Sequence, residues 1–145
     1  MRRRPGESAR RIIDHCGVER YLRPDEYNYA PATWQAAKDL VQQRIISNLR
    51  NPGVLLTTYG DLVRDVSYII DFGTPRNAVF HCLLGQISDE QEEQGRGLLT
   101  ALVVHKDDLH LGVGFFEGAA NWGRDITDRE RCWSEEIEKL RKIWT

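Results

Sequence analysis

Apolar residues recur along this chain at two different intervals, and the change from one to the other divides it into elements. From Ala32 to about Arg50, the residues Trp34, Ala37, Val41, Ile45 and Leu49 return every three or four positions, which puts them on one face of a helix. Asn51-Pro52-Gly53 ends it, because proline cannot continue the hydrogen-bond ladder. Val54-Leu55-Leu56-Thr57 is a short β-prone run, and Thr58 then stands at an N-cap position before a helix over 59–66, with Asp61 three residues on. Phe72-Gly73-Thr74-Pro75 breaks the chain again. Thr74 as N-cap and Pro75 at the first helical position predict a helix over 75–94 with Val79, Leu83 and Ile87 on its apolar face, closed by Gly95 and Gly97.

After Gly97 the period shortens. Leu98 to Val104 is apolar and β-branched toward its end and predicts a strand; Leu111 to Phe116 predicts its antiparallel partner, with His105 to His110 as the hairpin tip. Thr127-x-x-Glu130 reads as a capping box opening a last helix to Trp144, with Trp133, Ile137, Leu140 and Trp144 as its buried stripe. Near the N-terminus, Ser8 to Cys16 predicts a short helix stopped by Gly17, and residues 20–31, rich in tyrosine and bounded by prolines, an irregular connector. The order helix, short strand, helix, helix, strand, hairpin tip, strand is that of a winged helix. The expected fold is therefore α+β, a winged helix with additional N- and C-terminal helices. Residues 1–31 form a basic arm, short helix and connector, and 32–145 the winged-helix unit, as one domain.

Composition narrows the setting. The chain has 145 residues, and its 41% hydrophobic content suffices for a core without disulfides or a structural metal. No apolar run reaches the roughly 20 residues of a membrane span, and the charged start lacks the apolar segment of a signal peptide. Cys16, Cys82 and Cys132 are odd in number and widely spaced, the pattern of reduced thiols, so a cytoplasmic location is expected. The net charge of −2 hides an asymmetry: residues 1–50 carry +4 and residues 51–145 carry −6. Arg2, Arg3 and Arg4 make a basic arm able to hold a phosphate backbone through charge.

Thr57-Thr58-Tyr59-Gly60-Asp61-Leu62, then Pro75-Arg76, then a glycine-terminated helix and a Val103-Val104 run leading to Gly112-x-Gly114-Phe115, resembles the DNA-binding domain of the alkylguanine-DNA alkyltransferases and alkyltransferase-like proteins. It is similar also to small winged-helix modules associated with HNH- or restriction-type nucleases. The resemblance spans roughly residues 54–116. It implies that Tyr59 contacts a DNA backbone, that Arg76 makes a base or groove contact, and that the chain serves a nuclease or a prokaryotic defence system. The alkyltransferases carry Pro-Cys-His-Arg where this chain has Leu99-Thr100-Ala101-Leu102, so the resemblance argues against alkyl transfer.

The candidate DNA contacts are thus Tyr59, Arg76, Asn77, Lys106, Arg2, Arg3 and Arg4. Asp89, Glu90, Glu92 and Glu93 pull the other way, since carboxylates repel phosphates; with Trp122 they would fit a basic protein surface, which makes a protein-docking module the alternative. No nucleophile–base pair, phosphate loop or metal cluster stands out, so the expectation is a binding protein that is not an enzyme, with no cofactor and no metal. A duplex or a basic protein is its expected partner, and no membrane.

Overall fold

The computed structural model describes residues 10–13, 19–22, 29–51, 53 and 55–144. The fold is α+β and mostly helical, and among the described residues no helix is long and apolar enough to cross a membrane. Where a helix was expected over 8–16, residues Arg10–Ile13 form strand β1, which pairs antiparallel with β2, Glu19–Leu22. The β-branched pair Ile12-Ile13 favours extended backbone, and a turn signal at Gly17 lies between the two segments. The expected cap at Ser8, the rest of the connector up to residue 28, and Arg2, Arg3 and Arg4 lie outside the described residues.

Helix α1 spans Pro31–Arg50, with Pro31 in its first turn, where a missing N–H leaves no bond unmade. Trp34, Ala37, Val41, Ile45 and Leu49 are all buried, as their spacing requires. Strand β3 is Thr57–Thr58, followed directly by α2, Tyr59–Val66. The Thr58 hydroxyl accepts from the Asp61 amide at 3.1 Å, the expected cap.

Helix α3 runs over Ala78–Glu93, starting three residues later than expected. Asn77, not Thr74, is its N-cap: Asn77 Oδ1 accepts from the amides of Val79 (2.8 Å) and Phe80 (3.1 Å), while its Nδ2 donates to the Phe72 carbonyl at 3.0 Å. One side chain answering two free amides beats a threonine that answers one. Thr74-Pro75-Arg76 becomes a turn closed by Asn77 N–H donating to the Thr74 carbonyl. At the other end Gly95 takes a left-handed φ of 76°, the Gly95 amide donates to Glu92 and the Arg96 amide to Gln91, a Schellman stop. Between the ends, every residue from Cys82 to Ser88 is buried, so α3 is the central helix of the core rather than an exposed rod.

The largest correction follows Gly97. Leu99–Leu102 is a 3-10 turn, and only Val103–Val104 is a strand, β4. It pairs parallel with β3, Thr57 opposite Val103 and Thr58 opposite Val104, and not antiparallel with 111–116. That segment instead enters helix α4, Val113–Asn121. Leu111, Phe115 and Ala119 are buried at a spacing of four, a helical face that the aromatic pair and Gly112-x-Gly114 disguised as strand. A turn over 105–110, closed by the His105 amide donating to the His110 carbonyl at 2.9 Å, stands where the wing was expected. Helix α5, Arg129–Trp144, is capped by Asp128, whose Oδ1 accepts from the Arg131 amide at 3.1 Å, one residue beyond the expected Thr127. Its Cys132, Glu136 and Leu140 are buried at four-residue intervals, with Trp133, Ile137 and Trp144 packed beside them.

Candidate functional site

Tyr59 is the junction of three segments on one side of the molecule. The β3–α2 step turns it inward, and its side chain is 2% exposed. Its ring lies 5.3 Å from that of His81 and 4.7 Å from that of His105. Burial pushes its hydroxyl up to about 12, partly offset by a hydrogen bond with the Gly112 backbone. His81, one turn into α3, bonds the Pro75 carbonyl through Nε2 at 2.8 Å. A Cβ on Gly60 would meet the Pro75 ring at 3.8 Å, so the start of α2 lies beside the same turn.

Tyr59 thereby holds together the turn that carries Arg76 and the turn that carries Lys106. It does so from inside: a ring this buried has no free edge for a phosphate, and the expectation of a backbone contact by Tyr59 is corrected to a supporting role. Asn77 is corrected in the same way, since both ends of its amide serve the α3 cap. Arg76 and Lys106 are exposed, and among the described residues neither has a carboxylate partner. Arg76 precedes the N-terminus of α3, where the helix dipole adds positive potential. His81 and the fixing of both turns on Tyr59 carry no sequence signal, because the three segments meet only in the fold.

The acidic end of α3 is arranged differently. Asp89 accepts from the Trp122 indole at 2.9 Å, and Glu90 binds Lys38 at 2.7 Å. Lys38 is buried on α1, where it and the Trp34 indole also reach Gln86 Oε1. Glu92 takes both terminal nitrogens of Arg124, at 2.5 and 2.9 Å, and Lys139 at 3.6 Å. Arg124 also donates to Glu136 at 2.9 Å, and Glu136 accepts from the Leu98 amide at 2.8 Å. The Arg124 hydrogen bonds hold the Glu92 carboxyl below the usual range, and the two carboxylates raise Arg124 further. Three of the four carboxylates proposed as a docking face are thus engaged within the chain, together with Trp122; Glu93 alone projects from the end of the helix.

Thr100, in the slot where the alkyltransferases carry cysteine, lies on the 3-10 turn. Its hydroxyl is 2.6 Å from that of Ser88, and the Thr100 amide donates to Ser88 Oγ at 3.0 Å. The pair floors a narrow cleft between α3 and α4, about 20 Å³ in volume, lined also by Phe115, Gly118 and Trp122. That is room for a single water. The thiols of Cys82 and Cys132 are buried, and burial pushes that of Cys132 up; Cys16 lies outside the described residues. Among the described residues no group of three or more His, Cys, Asp or Glu could hold a metal ion. Comparison of the chain with protein-family models, with curated proteins and with solved structures finds no match.

Proposed function

We propose that this chain is a non-enzymatic DNA-binding domain that holds a phosphate backbone through Arg76 and Lys106, on the side of the molecule organised by Tyr59. The observation that carries it is a pair of cations held at fixed places outside any ion pair among the described residues. Two exposed cations without carboxylate partners stand on turns that are tied to one buried aromatic ring. A rigid base under each cation lowers the ordering cost of a contact, and the N-terminus of α3 beside Arg76 favours an anion. The likeness of residues 57–62, of Pro75-Arg76 and of Val103-Val104 with Gly112-x-Gly114-Phe115 to the alkyltransferase DNA-binding domain points the same way. The proposal does not need a winged helix: Val113–Asn121 is helical and β4 pairs parallel with β3, so the 105–110 turn, and not a hairpin wing, carries Lys106.

The α3 N-terminus approaches the duplex only by its first turn, since Cys82 to Ser88 are buried. Affinity then comes mainly from phosphates and is weakly selective for sequence. The test is a binding titration of a short duplex at low salt with the wild type and with Arg76→Glu/Lys106→Glu. The reversal is expected to abolish binding while leaving the melting temperature in place, since neither side chain supports the core. Equal binding by both proteins would refute the reading. The docking alternative would gain if Glu93→Lys, and not the reversal at 76 and 106, removed capture of a basic protein.

A further inference from the structure

We propose that Leu109 is an apolar wedge that enters a base step of the bound duplex; this rests on the DNA-binding reading above and adds to it a mode of contact. Leu109 has a φ of 53°, and among the described residues it is the one non-glycine residue on the left-handed side. A branched side chain disfavours that backbone, which glycine or asparagine adopts readily. Leu109 is also 56% exposed, so more than half of its surface gains nothing from packing within the chain to set against the strain. A conformational and a solvation penalty therefore coincide on one residue, at the tip of a turn. Strain of this kind persists where surrounding structure imposes it, and it concentrates at contact sites.

The turn beneath it is rigid. The His105 amide donates to the His110 carbonyl at 2.9 Å, the Leu109 amide to the His105 carbonyl at 2.8 Å, and the His110 amide to Asp108 Oδ1 at 2.9 Å. Both ends are anchored to the body: the His105 ring on Tyr59 at 4.7 Å, and the His110 ring on Trp133 at 5.0 Å with its Nε2 2.6 Å from Glu130. A stiff mount under a projecting apolar side chain is what unstacking a base step requires, since a soft one would fold away instead. Wedges of this type are flanked by cations that hold the neighbouring phosphates. Lys106, in the same turn, and Arg76, on the far side of Tyr59, supply them. Asp107 is the opposing charge beside Lys106, while the Asp108 carboxylate is turned to the His110 amide.

The test uses the full chain and a short duplex with 2-aminopurine at its centre, whose fluorescence rises when it unstacks. The wild type, Leu109→Gly and Leu109→Asn are compared for affinity, fluorescence and melting temperature. The wild type is expected to raise the fluorescence. Both variants are expected to bind about tenfold or more weaker, the equivalent of one leucine kept from burial, to lose the fluorescence rise, and to melt no lower than wild type. Unchanged affinity without any fluorescence rise would overturn the wedge and leave the phosphate contacts standing. A clear fall in melting temperature would make Leu109 a packing residue and overturn it as well. A wild type that binds no duplex would refute the DNA-binding reading itself, and the wedge with it.

Discussion

At the C-terminal end of α3, Asp89, Glu90 and Glu92 each meet a donor from elsewhere in the chain, and Arg124 makes four hydrogen bonds to two carboxylates, those of Glu92 and Glu136. At its N-terminal end, Arg76 and, across Tyr59, Lys106 stand in water with no carboxylate partner among the described residues. The two ends of one helix thus use charge in opposite ways. Where carboxylates are numerous they hold the fold together, and where cations are few they are left for a partner. Counted along the sequence, the −6 of residues 51–145 argues against a nucleic acid; sorted by ion pairs, Arg76 and Lys106 are exposed cations outside any pair among the described residues, with Asp107 and Asp108 in the same turn as Lys106.

The comparison can be broken most forcefully at Arg124. Arg124→Ala leaves the buried Glu136 without its cation and Glu92 with Lys139 alone, and the expected loss is about 3–5 kcal/mol. A urea titration that found less than about 1 kcal/mol would mean that the acidic end is not structurally engaged. Next in size is Gly97→Ala. Gly97 has a φ of 88°, and a Cβ there would stand 2.8 Å from Leu140 Cδ2, so backbone strain and overpacking add to about 2–4 kcal/mol. An unchanged unfolding midpoint would show that α5 does not pack as described. Asn77→Ala removes a cap of two amides at the cation-bearing end and is expected to cost about 1–2 kcal/mol, with DNA affinity falling only as far as Arg76 is displaced.

Acidity separates the two ends further. The folded-state value of Glu92 is lowered, so its contribution is present above the ordinary carboxylate range and is lost as pH falls through and below it. Melting temperature is expected to drop on acidification, and Glu92→Gln to flatten that drop. His110, raised by its hydrogen bond to Glu130, has the opposite sign: its contribution is present below the usual histidine value and fades as pH rises through the folded one. The pair is exposed, so the effect is the smallest here, under about 1 kcal/mol. It is read as a slight rise in stability from pH 8 to pH 6 that His110→Asn removes.

Much of the helical framework was legible because burial on one side leaves a stripe. The α1 face and the Thr58 cap follow from residue spacing alone. The start of α3 was misplaced because Thr74-Pro75 is as good an opening signal as Asn77 until the Phe72 carbonyl is there to fix the asparagine. The wing was misread because Leu98 to Val104 is buried on every side and carries no period, and because α4 is too short and too glycine-rich to display one. Arg76 and Lys106 could be picked out as exposed cations. The burial of Tyr59 could not, nor could the Arg124 network, whose partners lie 32 and 12 residues away in sequence.

The most direct test of the contrast between the two ends is the salt dependence of duplex binding, taken from about 50 mM upward for the wild type and for Arg76→Ala/Lys106→Ala. Each phosphate contact contributes about 0.9 to the slope of log K against log salt, so losing both is expected to flatten that slope by about 1.8 and to weaken binding to all sequences alike. A double variant with the wild-type slope, or a wild type that binds no duplex at the lowest salt, would contradict the account.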